Sequence, residues 1–503
     1  MLVRAAILLL VTLGALLPAW FAPEWQGTEG RRVQIALEMV RSGDWIVPTI
    51  GGQPTWAKPP LHYWLLGACA KLFGAEQWAM RLPAVLFLFA AALVAMETLR
   101  KWFGKRAGWV GALGMVLSPL ALFEWPTAEI DPTFASLTAM SLWLLATGVA
   151  RDRRGFVFAS GVVAGLAMLQ KGVPYFMFAA GAYLVWWRYR GGRHGLLHFV
   201  PMLVIAAAYY VPVWVLKIGF TEWFAVAKEE SVGRLKFFEW QHLAGIPEYW
   251  ARAILVQAPF GLWCFWEWRG ARDARMDAGD VTLRMCSGAA VVGVAVLTFF
   301  PGRATRYLMP NVLLFGFAVA PAVAHFSRQV GAIGPLARRI VVGAGIGGAL
   351  ALCVIPFVPK AVPALPIAAV VAVAPFLVRR PVHFVAYCLL VPLVSAAVVG
   401  FDGGVWQRAS RARHAAGELL RSELERRGAI ATLATHGHVD AGLLLEAGLL
   451  PPGDESARSK PTAPWVLCEA VPPPAFAGYV ERLRLCLPQS KTFVLFERSD
   501  SPR

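Results

Sequence analysis

Apolar residues occur along this chain in long blocks, separated by short polar segments. We predict thirteen membrane-spanning helices, because each block approaches the roughly 20 residues that cross a bilayer as a helix. The first block lacks a convincing small-x-small cleavage site before Glu24, so we interpret it as an uncleaved span and not as a signal peptide. The predicted spans are 2–22, 82–98, 107–123, 132–150, 155–170, 173–187, 197–216, 250–266, 285–300, 307–325, 340–356, 363–378 and 383–400.

The basic residues cluster in short loops between these blocks. They fall at 100–106, 151–154, 188–193, 269–284, 328–339 and 379–380. With thirteen spans, all six loops lie on one side, and the positive-inside rule makes that side cytoplasmic. We therefore expect residues 23–81, 217–249 and 402–503 to lie on the outer side of the membrane.

Composition supports a membrane protein. The 503 residues are 57% hydrophobic and 16% charged, with a mean hydropathy of +0.55. Soluble domains usually carry about 25% charged residues. The net charge of +17 does not indicate nucleic-acid binding, because the Lys and Arg residues lie where topology signals lie.

The long apolar blocks end near Asp402, and shorter helical and strand patterns follow. Periodicity predicts helices over 408–428, 440–450 and 476–487, and strands over 429–434, 464–470 and 492–498. We therefore divide the chain into a membrane domain, 1–401, and a small α/β domain, 402–503. Two cysteines of the tail, Cys468 and Cys486, would face the outside, and the sequence leaves open whether they form a disulfide.

The first outer loop is rich in charges and turns. It begins with "GTEGRRVQIALEMVRSGDWIVPTIGGQPTWAKPP", residues 27–60. An amphipathic pattern about eleven residues long ends at Gly43, and a second helical segment follows over 61–74. Because both segments are too short to span a bilayer, we predict two helices lying at the membrane surface.

Acids and bases recur in the segments predicted to face outside. An acid at the membrane boundary is costly unless it is paired or hydrated, so their convergence predicts a polar cavity. Bases there would attract a phosphate, and acids would act as a general base or position an acceptor. The alternative is that each is an ordinary loop charge, which is how we interpret Glu129, Lys71 and Arg81. The cavity candidates are Glu29, Arg31, Lys58, Asp131, Lys171, Arg234, Arg303 and Arg306.

Several motifs carry a family resemblance. "TEGRRVQIALEMVRSGDWIVP" followed by "KPPLHYW" resembles the first outer loop of the GT-C glycosyltransferases of the dolichyl-phosphate-mannose protein mannosyltransferase group. Within that group the chain is most similar to the bacterial branch that contains the undecaprenyl-phosphate-aminoarabinose transferase of lipid A. The resemblance runs from residue 1 to about 325 and includes "AEIDPTF", "GLAMLQKG", "EESVGRL" and "GRATRYLMP".

The resemblance implies an enzyme of the bacterial inner membrane. It would transfer a sugar, with inversion, from a polyprenyl (undecaprenyl) phosphate donor to a lipid, glycan or protein acceptor on the outer face. Carried over by motif, Lys58 and Arg234 would bind the donor phosphate, and Lys171, Arg303 and Arg306 are further candidates for that task. Asp131 matches the second acidic position, and the substrate pocket would include Arg31, Tyr63 and Tyr307.

Two departures from the family pattern qualify these roles. The family's leading Asp-Glu pair is Thr28-Glu29 here, so we expect Glu29 to act as the base, with Asp131 as the alternative. Ala57 and Ser231 replace an acid and a His that the lipid A branch links with a metal, so we expect no metal cofactor. The same replacements argue against a lipid A acceptor and against aminoarabinose.

The sequence leaves two other functions open. A non-catalytic relative would explain the missing Asp. A transporter for lipid-linked sugars is disfavoured, because transporters often show internal repeats and broken helices at mid-membrane, whereas these charges lie at the outer boundary.

Overall fold

The computed structural model describes most of the first half of the chain and parts of the second. The described ranges are 2–21, 28–231, 245–255, 278–299, 304–326, 405–428, 433–436, 465–469, 479–487 and 491–498, with isolated positions between them. The chain forms two compact units. The first comprises Met1–Phe21, Ala57–His62 and Arg81–Asp402, and the second comprises Ala22–Trp56, Tyr63–Met80 and Gly403–Arg503.

Fifteen α-helices fall within the described ranges. They are α1 Leu2–Trp20, α2 Glu29–Ser42, α3 Leu61–Phe73, α4 Gln77–Phe103, α5 Lys105–Val116, α6 Pro119–Glu124, α7 Ile130–Arg151, α8 Arg154–Lys171, α9 Pro174–Arg190, α10 Gly195–Val213, α11 Phe220–Ser231, α12 Ile246–Leu255, α13 Ala278–Leu297, α14 Met309–Phe326 and α15 Val405–Arg426. A π-helical turn, Trp214–Ile218, continues α10, and a 3₁₀ turn, Thr305–Leu308, precedes α14.

Helix α7 is the centre of the first unit. Nearly all of its residues are buried, and it packs against α8, α9, α13 and α14. A helix that is apolar on all sides is expected in the middle of a bundle.

Four segments are long and apolar enough to cross a bilayer: Gln77–Phe103, Ile130–Arg151, Gly195–Ile218 and Thr305–His325. Leu2–Leu17 and Val281–Leu297 are shorter apolar helices. The predicted span at 107–123 is wrong in one respect, because it is two helices: Ser118 caps the start of α6 and is followed by Pro119. The predicted spans at 340–356, 363–378 and 383–400 lie largely outside the described residues, so thirteen spans remain a prediction.

Glycines allow very close helix contacts in the first unit. A Cβ on Gly181 of α9 would lie 2.1 Å from the carbonyl oxygen of Gly288 in α13. A Cβ on Gly161 of α8 would lie 2.2 Å from the carbonyl oxygen of His198 in α10. Small residues at such crossings are typical of helices that associate in membranes.

The second unit contains α2, most of α3 and a short hairpin. Helix α2 ends at Gly43, whose φ of +74° places it in the left-handed conformation that closes a helix. Strands β1 (Thr49–Ile50) and β2 (Gln53–Pro54) then pair antiparallel around Gly51 and Gly52, both at positive φ. Helix α3 follows at Leu61–Phe73, so both helices predicted in the first outer loop are present.

The tail contributes α15 and a four-stranded sheet to the second unit. Strands β3 (Leu433–His436), β4 (Trp465–Glu469), β5 (Tyr479–Leu487) and β6 (Lys491–Arg498) have the order β3-β4-β6-β5. The first pair is parallel and the other two pairs are antiparallel. Ala416, Leu420 and Leu424 of α15 join the buried residues of this sheet in one core.

One expectation for the tail needs correction. Residues 476–487 were predicted to be helical, but Tyr479–Leu487 is a strand, in which Leu483 and Leu485 alternate with Arg484 at the period of two that a sheet requires. The side chains of Cys468 and Cys486 lie outside those that the structure describes, so their pairing stays as open as the sequence leaves it.

Candidate active site

Three acids lie where α6 ends and α7 begins. Glu124 closes α6, Glu129 occupies the N-cap position of α7, and Asp131 lies in its first turn. Glu129 and Asp131 are both 6% exposed. Negative charge at a helix N-terminus is stabilised by the helix dipole, which favours the placement of Glu129 and Asp131 at the start of α7.

Two bases from other elements meet these acids. Lys171, the last residue of α8, forms an ion pair with Oδ1 of Asp131. Arg306, in the 3₁₀ turn before α14, lies 3.4 Å from Oε1 of Glu129 and 3.4 Å from Oδ2 of Asp131. We call Glu124, Glu129, Asp131, Lys171 and Arg306 the acid–base cluster, which the ends of α6, α7 and α8 and the start of the α14 segment bring together.

Aromatic and electrostatic contacts complete the cluster. The Lys171 ammonium lies 4.6 Å from the ring centre of Tyr307, and the Arg306 guanidinium lies 5.9 Å from it. Burial raises the pKa of Glu124; Arg306 opposes this shift and the charges of Glu129 and Asp131 add to it. The side chains of Lys171 and Arg306 keep 16% and 29% of their surface exposed, so both cations can still reach an anionic ligand.

Two buried polar side chains contact the backbone on either side of Glu129 in the acid–base cluster. His62, at the start of α3, lies 2.9 Å from the carbonyl oxygen of Ala128 and 3.1 Å from the amide nitrogen of Gln170. Gln170 also donates to the carbonyl oxygen of Ile130 at 3.3 Å. Neither was predicted from the sequence, because each lies in a mainly apolar run. Their positions beside the "KPP" motif and Lys171 were the only signal available.

The second unit holds the other predicted acid. Glu29 is the first residue of α2 and is fully buried. Arg31 is exposed, whereas Arg32 donates from Nη1 to the hydroxyl of Tyr63 at 3.2 Å. The guanidinium that contacts Tyr63 is therefore one residue further along the chain than the predicted pocket residue Arg31.

Glu38 organises the hairpin that leads to Lys58. Its carboxylate accepts hydrogen bonds from Gln34, from the Thr49 hydroxyl, and from the backbone amides of Gly51 and Gly52, at 2.8–3.2 Å. Glu38 was not predicted as a structural residue, because it lies within the helical pattern that ends at Gly43. Lys58, four residues after the end of the hairpin, is half-buried.

Some predicted residues need a different account. Arg234 and Arg303 lie outside the described residues. Arg81 is not the surface charge that we expected, because it is fully buried and its guanidinium donates to the carbonyl oxygen of Trp20 at the end of α1. Glu129 is likewise no surface charge, since it is buried against Arg306. Across the described ranges, no group of three or more His, Cys, Asp or Glu side chains could hold a metal ion.

Comparison with known proteins shows what this chain resembles. Residues 57–216 match the family model described as dolichyl-phosphate-mannose-protein mannosyltransferase. The structure superposes on ArnT from Cupriavidus metallidurans bound to undecaprenyl phosphate with a TM-score of 0.75 and 19% identity, covering 100% of this chain and 99% of that one. The resemblance to GT-C glycosyltransferases is confirmed. The chain is therefore a membrane protein with the GT-C fold, as the sequence motifs predicted.

Two curated relatives of this chain carry the same name. The undecaprenyl phosphate-alpha-4-amino-4-deoxy-L-arabinose arabinosyl transferase of Pseudomonas savastanoi is 25% identical over 65% of this chain and 62% of its own length. The transferase of the same name from Edwardsiella ictaluri is 27% identical over 66% of this chain and 61% of its own length. The match thus spans somewhat less than two thirds of each of these relatives.

Proposed function

We propose that this GT-C protein is an inverting glycosyltransferase that moves a sugar from a polyprenyl phosphate to an acceptor on the outer face of the bacterial inner membrane. The observation that carries the proposal is the acid–base cluster, in which partly exposed cations adjoin buried acids at the ends of membrane helices. The relatives named as undecaprenyl phosphate-dependent arabinosyl transferases supply the class of donor.

The helix directions support an outward-facing site. Helix α7 begins beside Asp131 and ends at Arg151, and α8 begins at Arg154 and ends at Lys171. The acid–base cluster therefore lies at the end of these helices opposite the basic loop at 151–154, about 33 Å away along α7 at 1.5 Å per residue. Since basic loops face the cytoplasm, the cluster faces the periplasm.

The reaction needs one base and a stabilised leaving group. A carboxylate takes the proton of the acceptor nucleophile, which attacks the anomeric carbon. The bond between that carbon and the phosphate oxygen breaks, and its electron pair leaves with the polyprenyl phosphate. Cations beside the phosphate stabilise the charge that develops there, where electrostatic catalysis has most to gain. We assign this task to Lys58 and Arg234, assisted by Lys171, Arg303 and Arg306.

Contacts in the cluster favour Glu29 over Asp131 as the base. Both carboxylate oxygens of Asp131 are already engaged, Oδ1 by Lys171 and Oδ2 by Arg306. Asp131 is therefore suited to holding these two cations in place. Glu29, buried at the start of α2 where the family has its acidic pair, is our base.

The test compares sugar transfer by membranes that contain wild-type protein, Glu29→Gln, Asp131→Asn or Lys58→Ala, with a panel of radiolabelled undecaprenyl phosphate-linked sugars. The exposed Glu76→Gln serves as the matched control. We expect Glu29→Gln to abolish transfer, Lys58→Ala to weaken donor affinity, and Glu76→Gln to behave as wild type. Full transfer by Glu29→Gln would exclude it as the base, and unchanged donor affinity in Lys58→Ala would exclude the phosphate assignment.

A transporter of lipid-linked sugars is the second candidate. Its signature would be movement of the donor across proteoliposomes without transfer of the sugar. The position of the acid–base cluster at helix ends argues against it, since transporters bind near the bilayer midplane. Comparing the lipids and glycans of a deletion strain with those of its parent would identify the natural sugar and acceptor.

A further inference from the structure

We propose that His62 and Gln170 are a positioning pair, which fixes the Glu129–Asp131 segment relative to Lys171 for sugar transfer. This inference rests on the proposed function, because it assigns a task in that reaction. Both residues belong to the first unit, as do Ala128 and Ile130, whose carbonyl oxygens they contact.

The hydrogen bonds define one tautomer of His62. A carbonyl oxygen only accepts, so the Nε2 of His62, 2.9 Å from the oxygen of Ala128, carries the proton. In the neutral ring Nδ1 then accepts, and the amide group of Gln170 donates to it at 3.1 Å. The same amide nitrogen donates its second hydrogen to the oxygen of Ile130. The pair therefore makes three compatible bonds.

The contacted carbonyls lie on either side of one acid. Ala128 and Ile130 flank Glu129, and Asp131 follows directly. At the other end of the pair, Gln170 immediately precedes Lys171, which forms the ion pair with Asp131. The pair thus ties the backbone of the acids to the end of α8, next to the base that meets them.

Because the pair is buried, the loss of any of these hydrogen bonds is costly. His62 is 1% exposed and Gln170 is fully buried, so water cannot replace a bond that is lost. A phenylalanine at position 62 would fill similar volume, but it would leave the Ala128 carbonyl without the imidazole donor. The Glu129–Asp131 segment could then shift relative to Lys171.

The chain supplies a matched control in His198. It is also fully buried and is bonded through both ring nitrogens, to Ser160 at 2.8 Å and to Tyr183 at 2.7 Å. Its network involves none of the residues of the acid–base cluster. A loss of stability common to buried histidines would therefore appear in both His62→Phe and His198→Phe, whereas a loss of positioning would appear only in the first.

The experiment measures kcat and donor KM per folded molecule for His62→Phe, Gln170→Met, His62→Gln and His198→Phe. A misplacement of about 1 Å in a reacting group can lower the rate about 100-fold, so we expect falls in kcat of this order for His62→Phe and Gln170→Met, with little change in KM. His62→Gln retains a donor near the Nε2 position and should recover part of the loss. His198→Phe should keep the wild-type kcat.

Hydrogen–deuterium exchange of a peptide covering 124–131 provides a readout that does not depend on activity. Exchange should be faster in His62→Phe and Gln170→Met than in wild type, and unchanged in His198→Phe. If His62→Phe keeps the wild-type kcat, or if both phenylalanine variants lose it equally, the positioning role is overturned. If wild-type protein transfers no sugar, the proposed function fails, and the exchange contrast alone then decides whether the pair holds the acidic segment.

Discussion

The carboxylate of Glu38 lies 2.8 Å from the backbone nitrogen of Gly51, and thereby joins the middle of α2 to the turn of the β1–β2 hairpin. The same carboxylate accepts from Gly52 and from the Thr49 hydroxyl. Both glycines are at positive φ, so the turn presents its amides toward the helix in a conformation that other residues rarely adopt.

Glu38→Gln should destabilise this hairpin. One acceptor oxygen becomes an amide donor that faces donors already present, and a hydrogen bond to a charged group is worth about 1.5–3 kcal/mol. Thermal unfolding in detergent should show a loss of about 2 kcal/mol, and proteolysis should become faster between residues 49 and 56. Glu76→Gln, which changes an exposed acid, is the control. Equal stability of the two variants would contradict the assigned role of Glu38.

Arg306→Met should lower both activity and stability. It leaves Glu129 and Asp131 with less positive charge, and removing one partner of a buried ion pair costs about 3–5 kcal/mol, less here because Arg306 is partly exposed. The pKa of Glu124 should rise further, because Arg306 opposes the effect of burial on it. Turnover should fall about 100-fold, as is typical when a charge-stabilising group is removed. Arg306→Lys retains the charge and should lie between wild type and Arg306→Met.

Asp152 and His194 form an exposed hydrogen bond between the α7–α8 and α9–α10 loops. The His194 ring lies 2.8 Å from Oδ1 of Asp152, and both residues are at positive φ. The hydrogen bond with His194 lowers the pKa of Asp152. A lowered acid pKa contributes stability above the unfolded-state pKa, and this contribution is lost as the pH falls through the lower, folded value.

Asp152→Asn should therefore flatten the acid side of the stability curve. Asn tolerates the left-handed backbone conformation, so the change removes charge without adding strain. Melting temperatures measured from pH 3 to pH 7 should fall less steeply toward acid in the variant than in wild type. Asp152→Ala should be less stable than Asp152→Asn at neutral pH. If the melting temperatures of Asp152→Asn and wild type fall equally steeply toward acid pH, the contribution of the Asp152–His194 hydrogen bond is contradicted.

Gly181→Ala should disrupt the contact between α9 and α13. The new Cβ would lie 2.1 Å from a backbone oxygen of Gly288, so the helices must separate. Overpacking of this kind costs about 1–3 kcal/mol, or more when the obstacle is backbone. Gly14→Ala is the matched control, because a Cβ at that helical position meets nothing within 4 Å. Melting in detergent should distinguish the two, and similar melting temperatures would show that the helices can separate at little cost.

Sequence patterns predicted the parts of this molecule that local physics determines. Apolar runs located α7, α8 and α14, and amphipathic spacing located α2 and α3, because burial against lipid or core requires those periods. The strand at Tyr479–Leu487 was predicted to be a helix because charges and apolar residues there fit both periods, and only pairing with β6 selects the strand.

The charged residues of the candidate site could be predicted from the sequence, but the polar residues that hold them in place could not. Asp131, Lys171 and Arg306 were recognised because charge at a membrane boundary is costly, and the structure brings these three together. The bonds of His62 to Ala128 and Gln170 join segments far apart in the chain, and no local pattern reports such contacts. Arg81 was interpreted as a surface charge for the same reason, since its partner is the distant end of α1.

The glycine contact between α9 and α13 also constrains how the protein is made. The chain is synthesised from its N-terminus, so α9 is complete before residue 288 has been made. Until α13 is present, the surface around Gly181 lacks its native neighbour. This face of the bundle is therefore completed after synthesis of the helices that carry Asp131 and Lys171, and a translation pause between α9 and α13 would leave it open to misassembly.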